Sequence, residues 1–223
     1  MSVNVMTWNT GITENLYDYD KCNKILDYVD DFLKKENAIV FLQQIVYKNP
    51  QINWIKHEIY NLLLEKFKTY SIKFFSESSF MMTVAIVSDS NFRELDDCYL
   101  PVGRPKNRSI AVEFNNISFL GIHAETEEKN KPFLESINGK ADVILGDFNA
   151  GNYLESGNRA IFNKILTGHV CICNMPTKIT ESGRRTCIDH VFVKEDIITR
   201  CSKLIVHEEI KLSDHFPITF EID

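Results

Sequence analysis

The sequence predicts an α/β domain in which two β-sheets pack face to face with helices outside, and three observations predict it. Short apolar runs of strand length follow one another to the last residue, two longer stretches carry apolar residues at helical spacing, and no repeat, low-complexity tract or Gly/Ser linker divides the chain. One domain over residues 1–223 is therefore expected. A chain of 223 residues with 44% hydrophobic content buries roughly 70% of its unfolded surface, so a large core needs no staples.

In chain order, residues 3–8 (VNVMTW) read as a strand, and 21–36 as a helix with Cys22, Ile25, Leu26, Val29, Phe32 and Leu33 on one face. Residues 38–42 (AIVFL) are a buried strand, and 53–67 a second amphipathic helix carrying Ile59, Leu62, Leu63 and Phe67. The pattern then shortens to strands at 70–75, 83–88, 92–99, 109–114 and 117–123, the last two joined by an Asn115-Asn116 turn because Asn tolerates positive φ. Residues 142–146 (DVILG) form another buried strand. A short helix at 158–166 and strands at 170–174, 188–194, 203–209 and 216–222 complete the order.

A net charge of −6 argues against affinity from a diffuse basic field over duplex nucleic acid. It leaves metal-assisted chemistry open, because a divalent cation neutralises an acidic site. The opening MSVNVMTWNTG has neither a basic nor an apolar leader segment, so the six cysteines are expected as reduced thiols and the chain as cytoplasmic, with no membrane partner. Cys171 and Cys173, two apart in an apolar run, are expected on one strand face as core packing.

Polar residues cluster where the strands end: Asn9, Gln43-Gln44, His123, Asp147-Phe148-Asn149 and Asp214-His215. Carboxylates, carboxamides and imidazoles without a Ser or Cys nucleophile suit a hard divalent cation and a phosphate. Phosphoester hydrolysis by metal-activated water is the chemistry such a set supports.

The segments TWN (7–9), LQQ (42–44), MMTVAIVS (81–88), GIH (121–123), GDFNA (146–150), IDHVFV (188–193) and SDHFPI (213–218) occur in an order that resembles the endonuclease/exonuclease/phosphatase superfamily of magnesium-dependent phosphoesterases. The resemblance implies a four-layer α/β sandwich with a cleft at one end of two mainly antiparallel sheets. It implies Asp147 as the residue that orients or deprotonates the attacking water, with Asn9 and Asn149 positioning it and the phosphate. Asp189 and His215 match the family's carboxylate–imidazole dyad, and His123 matches a phosphate-contacting His of the deoxyribonuclease branch, with Glu77 as its partner. Mg2+ or Mn2+ is implied at Asn9, Gln44 and Asp214, and substrate contacts at Arg108, Arg185 and Asn149. Arg184 could join Arg185 in a small basic rim, while His57, His169 and His207 match no motif.

Two departures bear on the metal. Gln44 stands where the family has its chief ligand Glu, and Gly11 where the abasic-endonuclease branch has a second Asp; Cys187 also replaces a frequent Arg. Charge pairs are worth ~4 kcal/mol at 4 Å even at an effective dielectric near 20, so the loss of the residue 44 carboxylate should weaken metal binding by orders of magnitude. Gln44 leaves two readings open: a natural protein with altered metal binding, or an inactive form carrying an isosteric substitution of Glu. The leading expectation is a monomeric phosphodiesterase of nucleic acid, DNA favoured. A phosphatase of small-molecule or lipid phosphoesters, and a binding module of the same fold, are the alternatives.

Overall fold

Alternation along the first two strands decides the layering. In β1 (Val3–Asn9), Val3 and Val5 enter one apolar cluster while Met6 and Trp8 enter another. In β2 (Ala38–Ile45), Ile39 and Phe41 follow the first side, and Ala38, Val40 and Leu42 the second. Strands buried on both faces belong in the middle of a sheet covered on both sides. The computed structural model, which describes residues 2–14, 18–45, 54–74, 82–88, 92–101, 108–124, 130–149 and 151–223, places them there.

The first sheet adds β3 (Ser71–Phe74), β4 (Met82–Val87), β13 (Cys201–Val206) and β14 (Ile218–Ile222), in the order β13-β14-β1-β2-β4-β3. The second contains β5 (Phe92–Glu94), β6 (Ser109–Phe114), β7 (Ile117–His123), β8 (Val143–Asp147), β9 (His169–Cys171) and β12 (Asp189–Lys194), in the order β5-β6-β7-β8-β12-β9. Among the described residues only β1 with β2 and β7 with β8 pair in parallel, and the other strand pairs are antiparallel. A small separate hairpin joins β10 (Lys178–Ile179) to β11 (Arg185–Thr186).

The two large sheets bury Phe41, Phe119, Leu145, Val191 and Phe220 between them. The two sheets approach closely at Gly121, where a Cβ would lie 2.5 Å from the Phe41 ring. On the outer face of the first sheet lie α1 (Tyr19–Leu33) and α2 (Trp54–Lys66). Asp18 caps α1 by accepting from the Lys21 N–H at 2.8 Å, satisfying one of its orphan donors. Its Ile25, Leu26 and Val29 are fully buried, each worth about 1.5–3 kcal/mol of burial. On the other face, α3 (Asn130–Ile137) and α4 (Ser156–Ile165) cover the second sheet through Phe133, Leu134, Ile137 and Phe162. The result is the four-layer α/β sandwich that the sequence motifs imply.

Local differences have local causes. The strand expected at 92–99 stops at Glu94, and Asp97–Tyr99 forms a 3-10 turn after Asp96, whose extended backbone leads into it. The sequence pattern does not reveal α3, because its apolar positions fill barely two turns. Cys171 packs with the outer cluster and Cys173 between the sheets, because β9 ends at Cys171 and its alternation does not reach residue 173. All six cysteines are free thiols. Among the described residues no helix is long and apolar enough to cross a membrane.

Candidate active site

One rim of the sandwich collects the ends of β1, β7 and β8 and the start of β12. Register enforces this: His123 is paired with Asp147 on one side of β8, and Asp189 with Asp147 on the other. Asn9 ends β1 in the opposite sheet, and its Nδ2 crosses to donate to Asp147 Oδ2 at 2.8 Å. The Asn9 Oδ1 accepts from the Gly11 N–H at 3.2 Å, fixing the carboxamide orientation. The second Asp147 oxygen accepts from the Asn149 N–H at 2.9 Å, an Asx turn completed by Asn149 at φ 46. Asp147 is thereby 1% exposed with both oxygens oriented.

His215 enters from the loop before β14, anchored to β1 at two points. The Trp8 indole N–H donates to the His215 carbonyl at 3.0 Å, and the Ser213 hydroxyl donates to the Asn9 carbonyl at 2.9 Å. The ring's Nδ1 lies 2.9 Å from both Asp189 oxygens, and its Nε2 is 3.9 Å from Asp147 Oδ2. Asp189 is held in turn by the Thr177 hydroxyl at 2.8 Å. His123 Nε2 approaches Asp147 Oδ2 at 3.7 Å, and its Nδ1 is buried with no hydrogen-bond partner among the described residues.

Electrostatics separate the two histidines. Burial pushes His123 down to about 3, reinforced by the charges of Arg108, His215 and Lys178, so its contact with Asp147 joins a neutral ring to a carboxylate. Burial also disfavours charge on His215, but the Asp189 and Asp147 carboxylates outweigh it and raise the group to about 9. Asp147 is raised by burial and by the Asp189 charge, against the pull of His215, Asn9 and the Asn149 N–H. A carboxylate with raised proton affinity beside an imidazolium can act as a base and a hydrogen-bond donor to phosphate in one cleft. Among the described residues, Asp147, Asp189 and His215 have ligand atoms within 4.8 Å of one another and could hold a metal ion.

The remaining sequence-derived positions divide. Arg108 donates to the Ala124 carbonyl at 3.4 Å, the same oxygen that accepts from Asn149 Nδ2 at 3.0 Å, which sets its guanidinium beside the Asp147–Asn149 turn. Asp214 is half-exposed and ion-paired with Lys178 at 3.0 Å; burial favours its protonation, but His215 and Lys178 hold it below the usual carboxylate range. Gln44 lies half-buried in an irregularity of β2 between Leu42 and Ile45, with φ 55. A non-glycine residue in that conformation costs about 1–3 kcal/mol, and such a bulge re-aims a side chain. Its neighbour Gln43 is buried and donates to the Thr7 hydroxyl at 3.2 Å. Arg185 turns to Glu208 and Arg184 to Glu155, pairs on the exposed surface. Glu77 lies outside the described residues.

Thr177 and Lys178 escaped sequence reasoning. They sit where a two-residue strand gives no periodicity, and the only signal was their place between the second-sheet strands and the IDH motif.

No family model and no curated protein matches the sequence. Solved structures do share its fold. The NExo 3′ phosphatase from Neisseria, bound to a product DNA hairpin, is 15% identical, with a TM-score of 0.67 over 99% of both chains. D. rerio TDP2 complexed with a single-strand DNA product is 15% identical, with a TM-score of 0.68 over 100% of this chain and 99% of that one. An AP endonuclease from Archaeoglobus fulgidus is 16% identical, with a TM-score of 0.64 over 99% of both. With two six-stranded sheets between helix layers and these neighbours along its whole length, the chain has the fold of the endonuclease/exonuclease/phosphatase superfamily.

Proposed function

We propose that the chain hydrolyses phosphodiesters of nucleic acid, with DNA as the favoured substrate. The observation that carries this reading is the buried constellation in which Asn9 and Asn149 aim Asp147 while Asp189 holds a charged His215 beside it. A water hydrogen-bonded to Asp147 gives up its proton to that carboxylate as its oxygen attacks phosphorus in line. The bond from phosphorus to the leaving oxygen breaks, and solvent protonates the leaving group. His215, pinned through Nδ1, presents Nε2–H to a non-bridging oxygen whose charge grows in the transition state. In this reading Arg108 and Asn149, which share the Ala124 carbonyl, steady the same phosphate.

The donor set fits a hard cation, because burial and, after it, the neighbouring Asp189 carboxylate raise the proton affinity of Asp147 against the pull of His215, Asn9 and the Asn149 N–H, and a hard cation favours such oxygen donors. Mg2+ or Mn2+ is the ion we propose, with Asn9, Gln44 and Asp214 as its side of the cleft next to the Asp147–Asp189–His215 group. When bound, such an ion neutralises phosphate charge and polarises phosphorus. Of the first three residues only Asp214 is charged, and Lys178 already shares that charge.

DNA as substrate is supported by the DNA products bound to two of the structural neighbours. A monomer working in the cytoplasm, with no membrane partner, is the setting we propose. The test is a panel of single- and double-stranded DNA, RNA, inositol phosphates and sphingomyelin, assayed with Mg2+ and Mn2+. Asp147→Asn should lower turnover by roughly 10² to 10⁴, the usual worth of a positioned acid or base. Turnover confined to a lipid or inositol phosphate would overturn the nucleic-acid reading and keep the phosphoesterase one. A variant retaining more than about a tenth of the activity would remove Asp147 from its role.

A further inference from the structure

We propose that Lys178 is a phosphate-binding residue of this cleft, a built-in cation that holds Asp214 with one N–H and a non-bridging phosphate oxygen with another. The inference rests on the phosphoesterase reading and names a further residue that touches its substrate.

Backbone geometry puts Lys178 there by construction. The Phe216 N–H donates to the Thr177 carbonyl at 2.7 Å and the Ile179 N–H to the Asp214 carbonyl at 2.8 Å, and Lys178 and His215 form an antiparallel bridge between them. Residues 177–179 thus run alongside the segment that carries Asp214 and His215. Thr177 uses this to hold Asp189, and Lys178 to hold Asp214.

The ammonium has more donors than the protein uses. It carries three N–H groups, and Asp214 Oδ2 at 3.0 Å is its one ion-pair partner among the described residues. Its side chain is 24% exposed and that of Asp214 46%, so the pair opens outward instead of being sealed in the core. A half-open ion pair contributes little to folding. Burying most of a lysine stem costs side-chain entropy, so its place beside the dyad asks for another use.

Charge accounting names that use. Two positions where the resemblance gives carboxylates hold Gly11 and Gln44, which leaves this side of the cleft poor in metal-attracting charge. Lys178 supplies permanent positive charge on the same side. Burial acts against that charge, but Asp214 and, at longer range, Asp147 and Asp189 outweigh it, and the ammonium in turn helps keep His123 neutral. Lysine is a point-charge binder of phosphate that needs no coordination geometry.

The experiment uses inorganic phosphate as probe, titrated in EDTA and followed by phosphorus NMR, on the unmodified protein, Lys178→Met and Lys178→Arg. Lys178→Met should weaken phosphate binding roughly tenfold or more, the size of a charge-assisted hydrogen bond, while Lys178→Arg keeps most of it. A calorimetric Mn2+ titration of the same proteins should show tighter binding in Lys178→Met, because Asp214 is released. Equal phosphate affinity in Lys178→Met and the unmodified protein would overturn the inference and leave Lys178 a structural ion pair. An Arg variant as weak as the Met variant, or an unmodified protein that binds no phosphate in EDTA, would overturn it as well. Because the readout is phosphate binding, loss of the nucleic-acid reading in the substrate panel would leave this result standing on its own.

Discussion

At residue 44 a Gln, where the resemblance implies Glu, keeps that side chain's shape without its charge. Gln44→Glu should therefore tighten Mn2+ binding by roughly tenfold or more and raise phosphodiester turnover with it. Calorimetry on both forms reads this directly, and equal affinities would show that residue 44 does not face the metal. Asp147, Asp189 and His215 were legible because each stands in a short motif at a strand end, where the chain leaves the sheet and its side chain meets the cleft. Lys178 and Thr177 were not: the contacts that tie them to the dyad and its neighbour come from residues 189 and 214, and nothing local marks them. The charge states were hidden too, since two histidines with the same ordinary value diverge to about 3 and about 9 only once burial and partners are known.

Among elements, β8 ends in Asp147 and sets it between His123 of β7 and Asp189 of β12. Its glycine, Gly146, has φ +131, and a Cβ there would lie 2.1 Å from the Ile122 carbonyl oxygen of β7. Gly146→Ala should therefore force β7 and β8 apart at the pair next to His123 and Asp147, costing about 3 kcal/mol or more in stability and most of the activity. Thermal unfolding and turnover, measured together, check it; a variant within about 0.5 kcal/mol of the parent, in the range of ordinary surface substitutions, would mean the strand pair yields without strain. Length explains which elements could be read. β1, β2, β7 and β12 carry long apolar runs, and α1 a complete amphipathic face, whereas α3, β10 and β11 offer too few residues for a period to emerge. β13 departs in register, beginning at Cys201, because the bulge around Lys203 at φ 53 interrupts its alternation.

On the scale of the whole molecule, an acidic body of net charge −6 surrounds a cleft with few cations among the described residues. His123 adds none, being neutral, and Arg184 and Arg185 are committed to Glu155 and Glu208. Arg108, Lys178 and the charged His215 are the cations we propose for substrate phosphates. Each neutralised phosphate releases condensed counterions, so two or three contacts give a logarithmic salt slope of roughly −2 to −3, compared with about −10 for a strongly basic duplex binder. Binding of a short fluorescent single-stranded DNA across a salt series, with Asp147→Asn to prevent cleavage, measures that slope. Arg108→Ala and Lys178→Met should each make it shallower by about one contact and weaken binding evenly across base sequences, because phosphate contacts carry no base information. A slope near −10 would require a basic face that the described residues do not form, and a sequence-dependent loss in either variant would move that residue from the phosphate to a base.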